Sequence, residues 1–253
     1  MTQGPRRRIA QASKLAALCI AVSGVLDARA QGGPPMLTDD PETVDAGHWE
    51  INLAWTSERS AHAHDDEAPL VDINYGLIEG VQLKFEMPWV AASGRGNNGF
   101  GDALIGVKWR FVDRNGWQVS TYPQIGFLPP GLHHAGTVDA GVTHLLPIEV
   151  QRDFGSFDAG AEIGRSFGPS SGDDGWIAGI TIGGKLSERF ELIGELHDET
   201  SGGIEEHELV FNMGARQTLS EHFTLLMSLG SDIENTMGPR NRWVSYLGLQ
   251  VQL

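Results

Sequence analysis

His62 and His64, one residue apart and followed at once by Asp65, Asp66 and Glu67, are the densest group of metal-ligating side chains in this 253-residue chain. A His-x-His with adjacent carboxylates can hold zinc or copper. The simpler reading is a solvated acidic loop, and it is preferred, so neither a metal nor a cofactor is expected. His133-His134, Asp173-Asp174 and Glu205-Glu206 are read in the same way, as solvating charges. Nucleophilic catalysis would need a serine activated by a histidine that a third polar group orients. No His-x-Ser occurs: two residues after the nine histidines stand Glu50, His64, Asp66, Ala135, Gly136, Leu146, Glu199, Leu209 and Thr224. A serine and a histidine could still meet from distant elements, so a lipid or ester hydrolase stays as a lesser alternative. The single cysteine, Cys19, lies in an apolar leader and offers no thiol chemistry to the mature chain.

The elements that must position these groups are strands. From Gly47 to Leu253 short segments carry an apolar row alternating with a charged or polar one, the two-residue period of β structure. In Gly80 to Trp89, Val81, Leu83, Phe85, Met87 and Trp89 lie on one face and Gln82, Lys84 and Glu86 on the other. Twelve strands are expected, near 47–57, 69–77, 80–90, 100–112, 116–127, 137–151, 156–167, 176–186, 190–198, 207–217, 223–232 and 242–253. Most hold about nine to twelve residues, enough for a tilted strand to cross a bilayer. Connections after even strands are short, with Asn115-Gly116 and Gly155 supplying turn chemistry, and those after odd strands are longer and polar. The fold class is therefore all-β, a transmembrane antiparallel up-and-down barrel with short periplasmic turns and longer extracellular loops.

The leader agrees. Arg6, Arg7, Arg8 and Lys14 precede the apolar stretch Leu15 to Leu26, and Ala28-Arg29-Ala30 gives a cleavage site between Ala30 and Gln31. Three parts follow: a secretory signal over 1–30, a Pro/Asp-rich segment over 31–46 and the barrel over 47–253. About twelve apolar residues are too few for a spanning helix, which needs roughly twenty. Removing residues 1–30 takes five bases and one acid from a net charge of -15, leaving -19. Nucleic acid is an improbable partner for so acidic a chain.

A soluble barrel shows the same alternation with its apolar row inward, so aromatic placement has to decide. Trp49, Trp109, Phe111, Trp117, Phe157, Phe190 and Phe223 fall at the level of the short turns, and Trp55, Trp89, Phe127, Trp176 and Trp243 at the level of the long loops. Two aromatic tiers with aliphatics between them match the girdles of a lipid-facing band. The polar row then lines the interior, where Glu50, Asp72, Glu86, Asp102, Asp139, Glu149, Asp158, Glu162, Glu191, Glu195 and Asp232 outnumber Lys84, Lys108, Arg110, Lys185 and Arg216. Such charges need water or opposite charges, so the lumen is expected to be hydrated or laced with ion pairs, and narrow or plugged, with an acidic lining that disfavours anions.

Pro34-Pro35-Met36-Leu37-Thr38-Asp39-Asp40-Pro41, then Gly47-His48-Trp49-Glu50 and Asp72-Ile73-Asn74-Tyr75-Gly76-Leu77, carry a resemblance, with Gly99-Phe100-Gly101-Asp102, Val107-Lys108-Trp109-Arg110-Phe111, Tyr122-Pro123-Gln124 and Leu145-Leu146-Pro147. Together they make the chain similar to the outer-membrane barrels grouped under the phenol-degradation MetA pathway, or simply as transporters. The resemblance implies uptake of small hydrophobic or aromatic solutes and supplies no binding residues. Leu253 departs from the terminal aromatic usual in such barrels. For passive transport, Asp39, Asp40 and Trp49 are expected at a plug, and Glu50, Lys84, Glu86, Asp102, Lys108 and Arg110 at a constriction. Residues 31–46 read either as a periplasmic tail, the plainer option, or as that plug. Expected partners are outer-membrane lipid and lipopolysaccharide, the barrel-assembly machinery and the solute. A structural or adhesive barrel with a closed lumen is the alternative.

Overall fold

The computed structural model describes residues 33–60, 64–92, 98–135, 141–170, 172–238 and 242–253. Fourteen strand segments form one sheet: β1 Trp49–Arg59, β2 His64–Ile78, β3 Val81–Ala92, β4 Gly99–Phe100, β5 Ala103–Arg114, β6 Trp117–Thr121, β7 Gln124–Phe127, β8 Val142–Asp153, β9 Asp158–Phe167, β10 Gly175–Ser187, β11 Phe190–Thr200, β12 His207–Thr218, β13 Phe223–Asn235 and β14 Trp243–Gln252. β4 and β5 are one wall strand interrupted at Gly101-Asp102, and β6 and β7 are another interrupted at Tyr122-Pro123. The wall thus has twelve antiparallel strands, and β1 pairs with β14 from Glu50↔Gln252 to Arg59↔Trp243 to close it. Closure joins the first and last wall strands, as a sheet within hydrocarbon requires, while the short β4 pairs with β3 and meets His134 through one isolated bridge at Phe100.

The side chains divide as lipid on one side and water on the other demand. Leu53, Phe85, Ile105, Val107, Ile148, Ile163, Ile180, Ile182, Leu229 and Leu247 are exposed on the outer face. Asn52, Asp72, Asn74, Gln82, Lys108, Glu149, Glu162, Glu195 and Asn212 are buried on the inner one. This distribution is inverted relative to a soluble barrel and removes that alternative. Aromatics crowd both rims: Trp49 lies tilted against Tyr75 at 4.5 Å and Phe154 stacks on Phe157 at 4.8 Å near the short turns, and Trp89 meets Phe100 edge-on at 5.0 Å near the long loops.

Asn115 and Gly116 take φ of 55° and 74° in the two-residue turn between β5 and β6, the left-handed pair that matches strand twist. At the long-loop end the strands run further than the alternation suggests. His64 to Glu67, expected in a loop, belong to β2 and pair with Arg59 to Thr56 of β1. The expected strand over 100–112 is broken where Gly101 donates to the Pro88 carbonyl. That over 116–127 is broken at Pro123, which has no N–H for the ladder. The wall strand expected over 137–151 begins at Val142, and 136–140 lie outside the described residues.

Candidate functional site

The strongest concentration of polar contacts lies inside the barrel, where residues 33–46 enter the lumen. The Met36 N–H bonds to the Gly33 carbonyl and the Gly33 N–H to the Thr38 carbonyl, both at 2.8 Å, which folds the start of the segment into a compact turn. Its outward N–H groups meet wall acceptors: Leu37 and Thr38 donate to Glu195, Asp39 to Glu162 at 2.9 Å and Val44 to Gln82 at 2.8 Å. Its carbonyls meet wall donors: Arg216 reaches the Pro34 oxygen at 2.9 Å and Ser228 the Pro35 oxygen at 2.8 Å. Lys108 donates to the Asp39 carboxylate at 2.9 Å and to the Asp40 carbonyl.

The inner wall is shaped for this segment. At Gly76, Gly179 and Gly214 the space a Cβ would need is taken by Asp45, by Thr38 and by Met36 with Pro35. Including these seats, the segment touches β2, β3, β5, β9, β10, β11, β12 and β13, on opposite sides of the lumen. Thr38 is wholly buried, and so is Pro41. Burial opposes ionisation of Asp39, but the Lys108 and Lys84 ammonium groups outweigh it and hold its carboxyl below the ordinary range. Burial pushes Asp40 up to about 8 despite Lys108, the Asp39 charge adding to the rise.

Beside the segment lies a cavity of about 560 Å³ lined by Asp39, Asp40, Glu50, Lys84, Lys108, Arg110, Tyr122 and Arg216 among others. Lys84 pairs with Glu86 at 2.9 Å and Asp72 at 3.6 Å, and Lys108 also approaches Glu149 at 3.6 Å. Arg110 turns toward the short-turn end and pairs with Asp113 at 3.4 Å. The constriction set is therefore only partly assembled. Glu50, Lys84, Lys108 and Arg110 line the cavity, Glu86 reaches it through Lys84, and Asp102 stands apart at the break between β4 and β5. Trp49 borders the same cavity as Asp39 and Asp40 but belongs to the wall, where it opens β1 on the outer row, half exposed.

The other expected sites fare differently. Ala30, Gln31 and His62 lie outside the described residues. His64 and Asp65 are neighbours in β2 and so point to opposite faces, while Asp66 sits 4.0 Å from Arg59. No group of three or more metal-ligating side chains occurs among the described residues. A hydroxyl–imidazole–carboxylate series does occur: Thr38 Oγ1 lies 3.1 Å from His197 Nδ1, and His197 Nε2 lies 3.2 Å from Glu199. Thr38 has no exposed surface, so this series can hold the segment but cannot meet an ester. Glu162, Glu195 and Arg216 were legible as inward residues but not as the segment's anchors; Thr38, His197, Ser228 and the three glycine seats were missed, and glycines on the inward row were the available signal.

No family model matches the sequence, and no curated protein matches it. Solved structures match in shape. An outer membrane channel from Pseudomonas putida F1 superposes with a TM-score of 0.68 at 12% identity, over 85% of this chain and 98% of that one. NanC porin gives 0.62 at 9% identity, over 80% and 100%. KdgM porin, solved in complex with oligogalacturonate, gives 0.60 at 8% identity, over 80% and 98%. At these identities the likeness is one of fold, a closed twelve-stranded barrel of the outer-membrane type.

Proposed function

We propose that this protein is an outer-membrane channel for passive uptake of a small solute, held shut at rest by residues 33–46. The observation that carries the reading is the seating of that segment, whose backbone groups are answered by wall side chains and whose bulk fits three glycine gaps. A barrel with only a structural role has no need of an inner wall contoured to a peptide inserted from outside the sheet. The net acidic, polar lumen and the ion pairs around Lys84 and Lys108 suit a narrow pathway. The short turns then face the periplasm and the long loops the exterior, where acidic strand ends meet lipopolysaccharide through divalent cations. The solute class, a small hydrophobic or aromatic compound, rests on the resemblance of 34–41 and the later motifs to barrels of the phenol-degradation MetA pathway.

The test is entry of a radiolabelled small aromatic solute into cells that carry or lack the folded barrel in an intact lipopolysaccharide outer leaflet. Faster entry with the barrel is expected. Identical rates, with the barrel shown to be folded at the surface, would overturn the proposal.

A further inference from the structure

We infer that Lys108, Tyr122 and Lys84 form a carboxylate-binding niche in the lumen, that Asp39 occupies it as a stand-in, and that the cargo able to displace Asp39 carries a carboxylate. This inference rests on the channel reading and specifies its solute.

The niche is built rather than incidental. Lys108 is buried, with its ammonium 4.7 Å from the centre of the Tyr122 ring, and Lys84 approaches the same ring at 5.9 Å. A cation over an aromatic face gains electrostatic stabilisation without spending its hydrogen-bond donors. Tyr122 is itself buried against Gly106, where a Cβ would stand 2.7 Å from the ring. The Tyr122-Pro123 interruption of the wall strand thus turns an aromatic platform into the lumen under two ammonium groups.

The partners of Lys108 come largely from the segment. Asp39 lies at 2.9 Å and the Asp40 carbonyl also accepts from it, whereas the wall offers Glu149 at 3.6 Å. A buried ammonium left with fewer partners is costly, so departure of the segment is opposed by the loss of Asp39 and is eased by anything that answers Lys108 in its place. Another carboxylate restores the pair that Asp39 made; a neutral solute does not. Lys84, by contrast, is paired within the wall to Asp72 and Glu86 and keeps those partners whether or not the segment is present.

The cavity lining supports the same class. Its acids are Asp39, Asp40, Glu42 and Asp45 from the segment and Glu50, Asp72 and Asp113 from the wall, and its fixed cations are Lys84, Lys108, Arg110 and Arg216, all from the wall. Four of the seven acids lining the cavity therefore leave with the segment, while Glu86, Glu149 and Glu191 of the wall stay beside Lys84, Lys108 and Arg216.

The experiment records gating of the full mature chain and of Asp39→Asn in planar bilayers, with chloride replaced stepwise by benzoate at constant ionic strength and, separately, with benzyl alcohol added. The expected result is a saturable rise in open time with benzoate, little change with benzyl alcohol, and half-effect at a several-fold lower benzoate concentration in Asp39→Asn. Equal opening by benzyl alcohol would overturn the inference. So would channels that Asp39→Asn opens but benzoate does not, an outcome that leaves the channel reading standing. Absence of current in every condition from a folded, inserted barrel would remove the channel reading and the niche with it.

Discussion

Gly179→Ala isolates the seating of the N-terminal segment from the stability of the wall. The added methyl would overlap the Thr38 side chain, which is wholly buried and so has no open space to move into. Forcing a methyl into a filled site costs about 1–3 kcal/mol. Displacing Thr38 also strains its N–H bond to Glu195 and its hydroxyl contact with His197, with about 0.5–1.5 kcal/mol at stake for an ordinary hydrogen bond and more for one to a charged group. Together these put roughly 2–4 kcal/mol against the seated state, a shift of about thirty- to a thousandfold in its equilibrium at 1.4 kcal/mol per tenfold. The wall keeps its ladder, because Gly179 pairs with Glu162 and His197 through backbone groups that alanine also has. Single-channel recording should therefore show a large rise in open time, with the urea midpoint lowered by no more than the lost seating energy. Gly214→Ala, which meets the flexible end of Met36, should have a smaller effect, and Thr38→Gly should reverse much of the Gly179→Ala opening. Unaltered gating in Gly179→Ala, with the folded barrel intact, would refute the reasoning.

Three further outcomes are expected. Lys108→Met strands Glu149, which is fully buried beside Ser120, so the barrel should lose about 3–5 kcal/mol in urea unfolding, and Glu149→Gln in the same chain should recover much of it. Because Asp40 is raised from an ordinary 3.8 to about 8 when seated, the seated state binds a proton that the released one has lost. Seating is then most stable near pH 4 and weakens as pH rises toward 8, so open time should increase from pH 5 to pH 8; Lys108, Asp39, Glu42 and Arg216 surround the group and set this balance. Finally, Ile182→Arg on the outer face should cost about 2–4 kcal/mol in a lipid bilayer if it lies near mid-depth, whereas the same change at Leu253, at the rim, should cost far less, as read by reversible unfolding in liposomes.

Much of the wall was legible from alternation because lipid and water impose opposite demands on adjacent residues. Ile51, Leu53 and Ile73 fall on the outer row and Asn52, Asp72 and Asn74 on the inner one, as the two-residue period requires. The turn at Asn115-Gly116 was legible for the same local reason, since few residue pairs accept positive φ at both positions. The strand ends beyond the lipid band were not. His64 to Glu67 are polar on both faces, so their pairing with β1 leaves no alternating signature. Pro123 is a visible obstacle to a continuous strand, yet the apolar rhythm continues on either side of it and favours one. The seating of residues 33–46 was the least legible feature. Thr38 and Glu195 are 157 positions apart, and inward direction alone does not say which inner side chains meet a segment from elsewhere in the chain.

Single-channel conductance of the mature chain, compared with a chain lacking residues 33–45, tests the central claim most directly. The account predicts mostly closed records for the first and steady, discrete current steps for the second, with equal insertion of both. Equal silence from both, or equal and steady conduction by both, would contradict it.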